Sequence, residues 1–215
     1  MATLITNTLI GIEEVQRAVW DQLYDGLNVA LEDVATYFED QDQDIWEKTG
    51  NDPLLFTPTT LETIEPENFY LGHVQSLVRD APITKFPNCC VFTTQAVPAA
   101  NSIQLDQLEA YRDQVIVEVM VKSDTDEQEV NRRALRTAEA VNITLQRDTS
   151  LGGKIHGFES APNVIIGDVF IRKETTAYGP EWYWQGVRLE YAVRKEAELP
   201  SSAGSVFREI DIDQG

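Results

Sequence analysis

A helix with one apolar stripe, followed by two strands that are each apolar on one face, constrains this chain more than any other feature. In SDTDEQEVNRRALRTAEAVNITLQRD, residues Val130, Ala134, Leu135, Ala138, Val141 and Leu145 recur at three- and four-residue steps. That spacing predicts an amphipathic helix. Asp124 or Asp126 is placed to cap it, and acidic residues fill the first turn, where the helix dipole favours them. Arg132, Arg133, Arg136 and Glu139 fall off the stripe and are expected to face solvent. Gly152 or Gly153, in SLGG, can take a left-handed cap.

Two strands follow. In NVIIGDVFIRKETTA, Ile165, Val169 and Ile171 alternate with Asp168, Phe170 and Arg172. In WYWQGVRLEYAVRKE, Val187, Leu189, Tyr191 and Val193 alternate with Arg188, Glu190 and Arg194. The Gly-Pro signal between them predicts an antiparallel hairpin, wet on one face. Laying the helix across the apolar face buries both surfaces, which gives an α+β fold.

Upstream, Ile12, Val15, Val19, Trp20, Leu23, Leu27, Leu31, Val34 and Phe38 keep helical spacing, so a long helix is expected over Gly11–Phe38. Gly26 interrupts it at a cost of about 1 kcal/mol relative to alanine, which suggests a kink or close packing. Its acidic residues, Glu13 to Asp33, read as a solvated face. From Glu39 to Gly72 the chain is polar and proline-punctuated, and it reads as a long inserted loop. Trp46, Leu54, Leu55 and Phe56 within it need cover, from the chain's own core or from a neighbouring subunit.

A strand is expected at Cys89–Gln95, a bridge through VPAANSIQLDQLEAYRDQ, and a strong strand in VIVEVMVKS. There Val115, Val117, Val119 and Val121 share one face, while Ile116, Glu118, Met120 and Lys122 form a mixed, partly covered second face. After the last strand, residues 199–204 have a linker composition. Phe207, Ile210 and Ile212 then form a short apolar segment suited to docking, for instance as an added strand, or left as a terminal tail. The expected organisation is one α+β domain over residues 1–198 and a flexible tail over 199–215.

Composition narrows the function. A hydrophobic fraction of 42% supports a real core, whereas a net charge of −19 opposes binding to nucleic acid through phosphate neutralisation. No run has the length of a membrane span and no leader pattern is present, so a cytoplasmic origin is expected. Catalytic patterns are missing. His73 and His156 have no partner at metal-ligand spacing, LGGKIHG lacks the phosphate-loop spacing, and no nucleophile elbow occurs. DQDQD lacks the glycine and closing glutamate of a calcium loop. Adjacent Cys89 and Cys90 would point to opposite faces of a strand, which disfavours a bridge or a joint metal site. Neither an enzyme, a cofactor nor a metal is expected. In YGPEWYW, Trp182 and Trp184 share a face and read as core or rim packing, with an interface as the second reading.

The element order, the helix EVNRRALRTAEAVNITLQRD, the turn TSLGG and the final strand VRLEYAVRKEA resemble tail terminator and tail-completion (neck) proteins of long-tailed bacteriophages, over roughly Val115–Ala197. The resemblance implies a structural virion protein, made in the host cytoplasm, that forms a ring, usually a homohexamer. Such a ring sits on the last tail-tube ring, ends tube polymerisation, and offers a surface to the head–tail connector protein. The genome would slide through a carboxylate-lined lumen without specific binding. Trp46, Leu54, Leu55, Phe56, Trp182, Trp184, Phe207, Ile210 and Ile212 are the candidate contacts with neighbours. Two other readings remain: another connector or tail component, or an acidic, non-catalytic adaptor that binds a basic partner.

Overall fold

A computed structural model describes residues 6–72, 86–98, 108–155, 157–158, 161–167, 169–173 and 181–198. Its elements are α1 (Thr6–Lys48), β1 (Phe69–Leu71), β2 (Asn88–Pro98), β3 (Leu108–Ser123), α2 (Glu127–Arg147), β4 (Gly157–Phe158), β5 (Asn163–Ile166), β6 (Phe170–Lys173) and β7 (Glu181–Glu198). The strands form one sheet in the order β1-β2-β3-β7, with β4, β5 and β6 ranged along the far side of β7. All pairs are antiparallel except β1 with β2. The fold is α+β, as the patterns predict.

Valines at alternate positions of β3 explain why both helices lie on one face. Val115, Val117, Val119 and Val121 are buried there beside Cys89 and Val91 of β2, and Val187, Leu189, Tyr191 and Val193 of β7. The α1 stripe from Val15 to Val34 and the α2 stripe close the same core. Asp126 caps α2, accepting a hydrogen bond of 2.6 Å from the Glu129 N–H. The opposite sheet face is covered too: Cys90, Phe92 and Ile116 form a second buried cluster, against which Tyr70 packs.

Gly26 marks the place where α1 crosses α2. A Cβ there would lie 3.1 Å from the Thr144 methyl, so the residue serves close packing. The crossing is fastened by the Gln22 amide, which donates to the Thr144 carbonyl at 2.7 Å.

Several sequence expectations need correcting. The acidic stretch Glu39–Lys48 is the last part of α1 rather than loop. Its turns are held through Asp42, which pairs with α2, so tertiary contact outweighs the lack of an apolar stripe. β2 and β3 run well into the segment read as a bridge, and they pair from Asn88↔Met120 to Pro98↔Tyr111. α2 ends at Arg147 with Asp148 as an extended cap. The left-handed residues Leu151, Gly152 and Gly153 belong to the following turn instead. In that turn the Asp148 carboxylate accepts from the Ser150 hydroxyl and from the Gly152 and Ser150 N–H groups, which holds its pKa below the ordinary value.

The strand before β7 departs from simple alternation. Ile166 pairs with Val187 and Phe170 with Trp184, so four steps on one strand face three on the other. That extra residue is a bulge, and it flips which side chains face the helices. Val164 and Ile166 therefore lie on the helix side, opposite Leu189 and Val187, while Ile165 faces outward opposite Arg188. Past the bulge, Val169 packs on the core as expected. Gly167 permits this geometry: its N–H donates to the Gly186 carbonyl at 2.9 Å, and a Cβ would sit 3.0 Å from that oxygen. The Gln185 amide donates to the Gly167 carbonyl at 2.8 Å.

Candidate interaction surface

α2 buries two faces, one on the sheet and one against α1 and residues 49–65, so Arg132, Arg133 and Arg136 are not left to solvent as expected. Arg133 is buried. It donates to the Glu129 carboxylate at 2.8 and 3.0 Å, to Glu62 at 2.8 Å, and to the Lys122 carbonyl at 2.7 Å. Arg136 grips Asp42 with two bonds of 2.7 and 2.6 Å, a bidentate geometry, and lies 4.2 Å from the centre of the Phe38 ring. Burial alone would raise the Asp42 pKa. The Arg136 hydrogen bond, the Thr59 N–H and the nearby guanidinium charges outweigh it and leave the pKa below its ordinary value. Arg132 donates to Thr59 Oγ1 and to the Thr57 carbonyl, and sits 4.6 Å from the centre of the Phe56 ring. Arg147 pairs with Asp33 at 2.7 Å.

These clamps decide which of the apolar candidates remain available. Phe56 is buried beneath Arg132 in its own chain, so it is not a contact waiting for a neighbour. The turn before it is closed by Asp52, whose carboxylate accepts from the Leu54 N–H and whose carbonyl accepts from the Leu55 and Phe56 N–H groups. Leu54 and Leu55 are thereby held out at its tip, 91% and 62% exposed. Trp46 is half-buried. Trp184 is half-buried with its ring 6.2 Å from that of Phe86, which fits the packing reading. The Trp182 side chain, together with Phe207, Ile210, Ile212, His73 and His156, lies outside the described residues.

A groove of about 800 Å³ lies between the second half of α1, the middle of α2 and β5. Tyr37, Phe38, Leu135, Ile143 and Val164 are among its apolar lining. Leu135, expected in the buried stripe, is exposed here. It follows Ala134 by about 100° around the helix, and the small buried residues Ala134, Ala138 and Ala140 take the sheet and α1 contacts instead. Beside the groove runs β5, where Val164, Ile165 and Ile166 are 47%, 43% and 49% exposed. Among the described residues β5 pairs with β7 alone. The sequence signal for this edge was the unbroken run Val-Ile-Ile, since three consecutive apolar residues on a strand cannot all face one core.

Cys89, Cys90 and Tyr191 are ionisable groups buried in the fold. Cys89 faces the main core and Cys90 the second cluster. Burial pushes the Cys89 thiol well up, and burial with the Glu118 charge pushes Cys90 up to about 12, so both stay protonated at neutral pH. Burial, with the charges of Glu139 and Cys89, likewise raises the Tyr191 phenol. Among the described residues no group of three or more His, Cys, Asp or Glu could hold a metal ion. Among the same residues, no helix is long and apolar enough to cross a membrane. No protein-family model matches the chain, and no curated protein matches it.

Proposed function

We propose that this chain is a structural virion protein of a long-tailed phage. It forms a ring, six subunits in the usual case, at the head-proximal end of the tail. There it ends tail-tube polymerisation and joins the tail to the head connector. The observation that carries this reading is the apolar surface left open at the groove, the β5 edge and the Leu54–Leu55 tip. A heterologous contact through such surfaces closes into a ring when the rotation permits. Support also comes from the resemblance of the α2–turn–β7 stretch, and from side chains that supply contacts rather than chemistry. The thiols are held protonated, and Glu129 and Asp42 are bound to arginines.

Charge fits the same role. Arg133, Arg136, Arg147 and Arg188 are paired within the chain, and the net charge of −19 leaves an acidic exterior. Around a lumen, carboxylates repel DNA phosphate and let the genome pass. The same charge also favours a second reading, an acidic adaptor for a basic partner, which would work as a monomer or dimer.

Native mass spectrometry with negative-stain imaging tests this. A ring of about six times the 24.2 kDa chain is expected, and it should cap preformed tail-tube rings. A monomer or dimer that leaves tube polymerisation unaffected contradicts the reading.

A further inference from the structure

We propose that the free edge of β5 and the adjoining groove form the acceptor for an extended segment, Val206–Ile212, donated by a second copy of this chain. Strand addition needs two things at once: backbone groups on an unpaired edge, and pockets for alternate side chains. Both occur here side by side. β5 pairs only with β7 among the described residues, and its three apolar side chains are about half exposed. Proteins ordinarily blunt an edge with lysine, proline or a covering loop. Asn163–Ile166 holds neither lysine nor proline, although Pro162 directly precedes it. On the helix side of the edge, Val164 opens directly into the groove with Tyr37, Leu135 and Ile143.

The occupant follows from where the chain leads. β7 ends at Glu198, and residues 199–215 continue beyond it. In that stretch Val206, Arg208, Ile210 and Ile212 fall at even positions, and Phe207, Glu209, Asp211 and Asp213 at odd ones. On an added strand the three aliphatic residues would enter the groove with Arg208, and Phe207 and the acids would turn away from it. Donation within one chain would need a fully stretched linker. Glu198 lies eight residues past Glu190, which is level with Asn163, a distance of about 26 Å along the strand. The eight steps from Glu198 to Val206 span about 26–29 Å when fully stretched, so a path that also crosses about 10 Å, two strand spacings, to the outer edge of the sheet has no slack. A second copy has no such limit. That the donor is a second copy rests on the self-assembly proposed above; the acceptor geometry does not.

Cysteine pairing in the full-length protein tests this, since Cys89 and Cys90 are both buried. Val164→Cys and Ile210→Cys are made in separate preparations, mixed, and mildly oxidised. A covalent dimer linked through these two positions is expected, at least tenfold above either preparation alone. It should also exceed the yield from pairing Ile210→Cys with Leu54→Cys, a site outside the groove lining. Ile166→Cys with Ile212→Cys provides a second pair. No link in either pair overturns the proposal, as does a link at single-chain mass when both substitutions share one chain. Native mass measured in parallel separates the two ideas. A ring without the link removes the docking and keeps the ring, while a link in a preparation no larger than a dimer does the reverse.

Discussion

Residues 49–65 and the strand β5 pose the same physical problem and meet it differently. Each carries apolar side chains at the periphery of the fold, too few to form a core of their own. The first is roofed by α2: Arg132 covers Phe56 and bonds to Thr57 and Thr59, Arg133 holds Glu62, and the Asn28 amide exchanges two hydrogen bonds with the Ile64 backbone. The second has no such roof, and Val164, Ile165 and Ile166 stay half exposed. Arginine can do this because its apolar stem covers a ring while its five donors satisfy carbonyls and carboxylates. Over Phe56–Ile64 the apolar surface is therefore closed with the help of α2 guanidinium groups, while along β5 and at the Leu54–Leu55 tip it stays open.

Removing a clamp should have the largest effect. Arg133→Ala strands the Glu129 carboxylate, which is 1% exposed, without a cation. A loss of about 3–5 kcal/mol in urea unfolding is expected, with faster amide exchange across residues 57–65. A loss below 1 kcal/mol would mean that the clamp does not hold this region. Next comes Phe56→Ala, expected to cost about 3 kcal/mol. Leu54→Ala, two residues away, should stay within about 0.5 kcal/mol. Equal effects would erase the distinction between covered and open side chains.

The Asp42–Arg136 pair gives a smaller, pH-dependent signature. The folded-state pKa of Asp42 lies below its ordinary value of 3.8, so the pair's stabilisation is present above that value and is lost as pH falls through the folded one. Asp42→Asn should be less stable than the parent at pH 7, and the gap should narrow below about pH 4. A gap that is constant from pH 7 to pH 3 would show that ionisation of Asp42 contributes nothing.

Much of this was legible in the amino acids. Period-2 valines in β3, the alternation Val187–Leu189–Tyr191–Val193 and the α2 stripe each report burial on a single face, and a single sequence carries that signal. The arginine clamps were not legible. Arg132, Arg133 and Arg136 look like a solvated face until residues 42–62 are brought against them, a pairing over some seventy to ninety positions of sequence. The extension of α1 to Lys48 was hidden for the same reason, since Asp42 is buried where Arg136 and the Thr59 N–H meet it. The parity flip at Gly167 depends on one extra residue relative to β7, which appears only once the register is known. Of the candidate contacts, Leu54 and Leu55 emerged exposed and Phe56 did not, since an apolar run alone does not say which member is roofed.

The most direct test of the open surface is native mass spectrometry of the parent protein beside the double substitution Val164→Glu with Ile166→Glu. Both side chains are half exposed, so the unfolding free energy should change by no more than about 0.5 kcal/mol per site. The parent is expected near six times 24.2 kDa, and the folded variant at the mass of a single chain. A variant that assembles as fully as the parent would contradict the assignment of the β5 edge as the surface through which copies of this chain join.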